Sequence, residues 1–151
     1  MQKPTDIYYD VGRLKFGLIV SGQDQSPAEI SGALGIRPDY AHCKGDQIVN
    51  AATGRIGGKR RSNIWMFDSE SLTDSKNLDA HARLILEIVL PLTPAITELA
   101  ARNEVYFSAK WESSRLDWGS GPTLSAATCR DIALVGIELS FDISCSLPHD
   151  V

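Results

Sequence analysis

The closing stretch of the chain, IELSFDISC (residues 137–145), alternates without a break. Ile137, Leu139, Phe141, Ile143 and Cys145 fall on one side, and Glu138, Ser140, Asp142 and Ser144 on the other. Successive side chains of a strand point to opposite faces, so this strand has one apolar face and one wholly polar face. A polar face belongs to a sheet covered on one side only. That calls for a mostly antiparallel sheet with helices on its other face. The apolar set is expected to face the core.

Other segments agree with this frame. VGRLKFGLIV (residues 11–20) places Leu14, Phe16, Leu18 and Val20 on one face and Arg13, Lys15 and Gly17 on the other. EVYFSAKWE (104–112) does the same with Val105, Phe107, Ala109 and Trp111, and NIWMFDSE (63–70) is rich in β-formers. QIVNA (47–51) reads as a short strand between turns. SPAEISGALGI (26–36) carries the marks of a complete short helix: Ser26 as N-cap, Pro27 at the first position, Glu29 closing a capping box, and Gly35 at the stop. The longest helical pattern, residues 77–103, should be kinked or split by Pro91 and Pro94. LSAATCRDIALVG (124–136) is a further helix, capped by Ser125 and stopped by Gly136. The order of elements predicts an α+β fold, a two-layer α/β sandwich of ferredoxin-like character, in a single domain spanning residues 1–151.

At 151 residues, with 43% hydrophobic and 23% charged residues, the chain can bury a core without metals or disulfides. Its first residues are polar, no apolar run reaches membrane-spanning length, and Cys43, Cys129 and Cys145 form no C-x-x-C pair. The expectation is a cytoplasmic protein that makes no membrane contact and needs no cofactor or metal.

Several segments taken in order, SPAEISGALGIRP, KGD, the tryptophan-bearing IWMFDSE, LDAHARLILEIVLPL and finally LSAATCRDIALVGIELSFDI, resemble the bacterial family catalogued as domain of unknown function 4279. The resemblance covers nearly the whole chain and rests on the order and spacing of the segments. It implies the same α+β architecture and assigns no catalytic residue.

Charge is unevenly spread. Residues 37–61 hold six cations (Arg37, Lys44, Arg55, Lys59, Arg60, Arg61) against two acids, Asp39 and Asp46, a net of +4. With −4 on the whole chain, the remainder carries −8. Within this segment TGRIGGKRR (53–61) misses the phosphate-loop pattern: Gly54 precedes Gly58-Lys59 by one residue too few, and Arg60 stands where a hydroxyl should ligate magnesium. Gly54 to Gly57 gives a G-x-x-G, but turns and strands flank it instead of the helices a nucleic-acid clamp requires. The −8 remainder would also repel a polyanion. A solvated loop before an edge strand blunted by charge, or a surface for an anionic protein partner, fits better.

His42 and Cys43 are adjacent, so on a strand their side chains diverge; His81 or His149 would have to serve as a base for any cysteine chemistry. Asp79 and His81 alone are too few for a metal, and Asp79 suits the positive end of a helix. The carboxylates Asp68, Glu70 and Asp74, and Glu112 with Asp117, read as solvated loop charges. Trp65 and Trp111 suit the core. Trp118, in the loop LDWGSGPT, can face a partner.

The expected role is therefore a small binding module acting through a protein partner or a homo-oligomer. Antagonist- or immunity-type factors are the analogy by class. Partner contacts are expected at Arg55, Lys59, Arg60, Arg61 and Trp118, with no catalytic residue assigned. An enzyme with a dispersed site is the rival reading, and nucleic-acid binding through residues 55–61 comes third.

Overall fold

The computed structural model describes residues 11–113 and 121–145. Among these residues seven strands and four α-helices follow one another as β1 (Val11–Gly22), α1 (Pro27–Leu34), β2 (Tyr40–His42), β3 (Gln47–Val49), β4 (Ile56–Lys59), β5 (Asn63–Asp68), α2 (Leu78–Val89), α3 (Thr93–Ala100), β6 (Glu104–Ser113), α4 (Ala126–Val135) and β7 (Glu138–Cys145). A 3₁₀ turn, Leu90–Leu92, separates α2 from α3 at the expected prolines. The main sheet has the order β2-β5-β1-β6-β7, and β3 and β4 pair apart from it. Every main-sheet pairing is antiparallel except β6 with β7, which run parallel on either side of the α4 crossover. The class is α+β, with a mostly antiparallel sheet.

Alternation in β1 becomes burial on one face. Leu14, Phe16, Leu18 and Val20 are buried beside Trp65 of β5 and Val105, Phe107, Ala109 and Trp111 of β6. Against this face lie Ile30 and Leu34 of α1, Ala82, Ile85, Leu86 and Val89 of α2, Ile96 and Leu99 of α3, and Ile132 and Val135 of α4. Trp65 is fully buried and still satisfied, because its indole N–H donates to Ser31 Oγ at 2.9 Å. At Gly17 the sheet admits no side chain: a Cβ there would lie 2.7 Å from both Asp68 Cβ and the Phe67 carbonyl.

Two helices are delimited as their sequences dictate. The Glu29 N–H donates to Ser26 Oγ, and the Ser26 N–H donates back to Glu29 Oε2. Ser125 caps α4 without the return bond, its Oγ accepting the Thr128 N–H at 3.2 Å. Gly35 and Gly136 end their helices at φ 66° and 76°, a left-handed conformation that costs glycine little.

Two expectations fail. The basic stretch is no loop, since residues 56–59 form β4; and β5 is no edge strand, since β2 covers it. The closing strand is also only half covered. Ile137 and Leu139 pack on the core, but Phe141 and Ile143 stay 49% and 57% exposed. Its alternation is real, but β7 lies at the margin of the sheet, beyond the apolar helix faces centred on β5, β1 and β6. Cys145 has its side chain outside the described residues.

Candidate functional site

The β3–β4 hairpin rises from a well-built root. Asn63, buried at the start of β5, accepts the Lys44 N–H on Oδ1 (2.7 Å) and donates through Nδ2 to the carbonyls of Gln25 (2.9 Å) and Gln23 (3.4 Å). This ties the hairpin to the loop between β1 and α1. A backbone rung closes the root: the Gly45 N–H donates to the Arg60 carbonyl at 2.9 Å and the Arg60 N–H to the Asp46 carbonyl at 2.8 Å. At the tip, Asn50 Oδ1 accepts the N–H groups of Ala52 and Thr53. Nothing comparable holds the hairpin's faces, and every residue from Cys43 to Lys59 is exposed.

Val49 and Ile56 are paired across the hairpin, so their side chains share a face, where they are 55% and 61% exposed. The expected contact residues lie along the same arm of the hairpin: Arg55 just before Ile56, Lys59 at the end of β4, and Arg60 and Arg61 at the root. Among the described residues none of the four makes an ion pair. The segment's two acids are occupied by backbone instead: Asp46 accepts the Cys43 N–H and Asp39 accepts the Asp68 N–H, each at 2.8 Å. The structure thus spreads the predicted cations along the hairpin's second arm, from Arg55 next to the tip to Arg60 and Arg61 at the root. Trp118 lies outside the described residues.

His42 sits at the root, with its Nδ1 3.0 Å from the Tyr40 hydroxyl and the two rings edge to face. Burial lowers its pKa from the ordinary 6.5, and the Arg60 charge lowers it further. The exposed Cys43 beside it has no arranged base.

Among the described residues no element covers the other face of the sheet, and that face is hollowed. Lys15, Gly17, Ile19, Met66, Asp68 and Lys110 line a hollow of about 260 Å³. Lys15 and Lys110 are direct cross-strand neighbours, a repulsive pairing in isolation. Asp68 at 2.8 Å and Glu70 at 3.6 Å flank Lys15, and Asp142 at 3.7 Å flanks Lys110. The result is an acid–base–base–acid ladder in which two ammonium groups meet three carboxylates, so no cation is left over for a ligand. Asp68, expected in a solvated loop, is a buried member of it at the end of β5.

One arrangement looks catalytic and is not accessible. Ser69 Oγ lies 2.6 Å from His81 Nδ1, the geometry of a nucleophile and its base. Both side chains are buried, Ser69 fully and His81 to within 1%. Ser69 Oγ accepts the Phe16 N–H at 3.0 Å and His81 Nε2 lies 2.8 Å from the Ser75 carbonyl. A single tautomer, protonated on Nε2, satisfies the chain: the Ser69 hydroxyl donates to Nδ1 and the ring N–H donates to Ser75. The trio pins the 69–77 loop between β1 and α2. The sequence offered His81 only as a base for cysteine chemistry or, with Asp79, as too few ligands for a metal, and nothing local pairs it with a serine twelve residues earlier.

Asp79, close by, joins two helix starts, accepting the Ser125 N–H of α4 at 2.7 Å. Burial pushes its carboxyl pKa up, but hydrogen bonds from Thr128 and Ser125 and the charge of Arg83 outweigh this and hold it below the ordinary 3.8. Among the described residues no three His, Cys, Asp or Glu side chains converge as a metal would need, and no helix is long and apolar enough to cross a membrane.

The fold and this surface define a class: a one-sided α+β sandwich bearing a basic hairpin between its second and fifth strands. The chain belongs to the family described as Domain of unknown function (DUF4279), whose model matches residues 13–146. No curated protein and no solved structure matches it.

Proposed function

We propose that this chain is a small cytoplasmic binding module that takes hold of an acidic surface on a partner protein with its β3–β4 hairpin. The observation that carries this reading is the exposed Val49–Ile56 pair on a hairpin whose return arm carries Arg55, Lys59, Arg60 and Arg61, cations with no acid of their own among the described residues. An apolar centre with a charged rim is the usual anatomy of a protein contact. The centre excludes water and slows dissociation, while the rim speeds encounter with a surface of opposite sign. A polyanion as long as a nucleic acid would also meet the −8 of the remaining chain, which a compact acidic patch can avoid.

The test is a charge reversal, with Lys59, Arg60 and Arg61 all replaced by glutamate. The melting curve is expected to stay nearly unchanged, because exposed pairs are worth only about 0.2–1 kcal/mol. Capture of the partner from native extract should slow, most visibly at low ionic strength. Replacing Val49 and Ile56 with serine should instead shorten the lifetime of the complex. Submicromolar binding of short DNA or RNA at near-physiological salt, abolished by the reversal, would make the hairpin a nucleic-acid contact and overturn this reading.

A further inference from the structure

The two edges of the main sheet are unlike. At one edge β2 is only three residues long and the chain departs from it at once into the hairpin. Short edge strands resist unwanted pairing. At the other edge β7 runs for eight residues in unbroken register with β6, from Glu138 to Cys145. It carries two acids, Glu138 and Asp142, but no proline, lysine or bulge to blunt the edge further. Among the described residues no strand pairs with its outer side, and Phe141 and Ile143 are left about half exposed there.

We infer that β7 pairs antiparallel with β7 of a second copy of this chain, about a two-fold axis that passes through Phe141 perpendicular to the sheet. The two five-stranded sheets then become one continuous sheet, with both helical layers on the same side. Such an axis keeps each face with its like, so residues that meet across it must both be odd-numbered or both even-numbered.

Charge selects among the allowed registers. Centred on Ser140, the pairing sets Asp142 against Glu138; centred on Asp142, it sets that carboxylate against itself. Like charges directly opposite are destabilising. With Phe141 at the centre, Asp142 faces Ser140, Glu138 faces Ser144, Ile143 faces Leu139, and Phe141 stacks on its own copy. Registers centred on Leu139 or Ile143 also separate the acids but pair fewer residues of the strand. The Phe141 register is the longest one that opposes no two carboxylates. This inference does not rest on the hairpin reading, because the hairpin leaves the sheet at the far edge.

The experiment is sedimentation of the full chain over the micromolar range. The parent should be a dimer, F141K and F141E should each be monomers, and an equal mixture of the two should dimerise again, because opposite charges then meet at the axis. The triple reversal in the hairpin should leave the dimer intact while changing capture, so the two readings fail separately. Should F141K melt well below the parent, F141C in a background with Cys43, Cys129 and Cys145 changed to serine replaces it. Mild oxidation should then link two chains through position 141, far faster than S140C or I143C links them. A parent that stays monomeric throughout overturns the inference. So does an F141K variant that still dimerises, a mixture that stays monomeric, or a disulfide no faster at position 141 than at its neighbours.

Discussion

Leu14, Phe16, Leu18 and Val20 of β1 and Ile48, Val49 and Ile56 of the hairpin are similar residues in similar extended backbone. The first set is at most 9% exposed, the second 36–61%. What separates them is the layer above. Over β1 lies α2, with β5 and β6 on either side, and over the hairpin lies nothing among the described residues. In the body, apolar side chains supply the stability. In the hairpin the backbone rung at Gly45 and Arg60 and the amide of Asn63 supply the order, and the side chains are left free to meet something else. The two regions should therefore answer mutation differently, the body through its melting curve and the hairpin through its contacts.

The largest effect expected on the body side is at Trp65. Trp65→Ala removes a fully buried ring and its bond to Ser31, and should cost roughly 3–5 kcal/mol in denaturant unfolding. A variant that unfolds with the parent would erase the distinction between the regions. Next comes the buried trio. Ser69→Ala leaves the Phe16 N–H and His81 Nδ1 without their partner and should cost about 1–3 kcal/mol. Since His81 acts through the same bond, the loss in Ser69→Ala with His81→Ala should fall short of the sum of the two single losses. Full additivity would mean that the two side chains are not coupled.

The smallest effect is one of pH, and it separates the hairpin root from the body. His42 has its folded pKa below the ordinary 6.5, so the unfolded chain takes up its proton first. Its contribution is complete above that value and declines as the pH falls from it toward the folded pKa. Asp79, also lowered, contributes above its ordinary 3.8 and loses that contribution as the pH falls through its folded pKa. Thermal melts across acid pH should show both declines, with His42→Gln flattening only the upper one and Asp79→Asn only the lower.

Much of the body could be read from residue order. The Ser26–Glu29 box, the stops at Gly35 and Gly136, the break at Pro91 and Pro94, and the inward faces of β1 and β6 are local signals with local causes. The hairpin was legible in charge but not in shape. Ile56–Lys59 holds two glycines, which score as turn, and its strand character comes from pairing with Gln47–Val49. Phe141 and Ile143 show why alternation is an incomplete guide: it says which residues could be covered, while the reach of the helices decides which ones are. The link between Ser69 and His81 and the ladder through Lys15 and Lys110 depend on strand register, which no single segment contains.

The rung that closes the hairpin root has a consequence for how such a protein can change. The chain departs at Asp46 and is back at Arg60, so the stretch between them begins and ends at one place. Lengthening a closed segment of this kind is cheap, about 0.6 kcal/mol for each doubling. The residues between those two points can be swapped for others of different length and chemistry without unseating Trp65 or the helices behind it. In that sense the sandwich is a socket, and the hairpin is a fitting that evolution or an engineer can exchange.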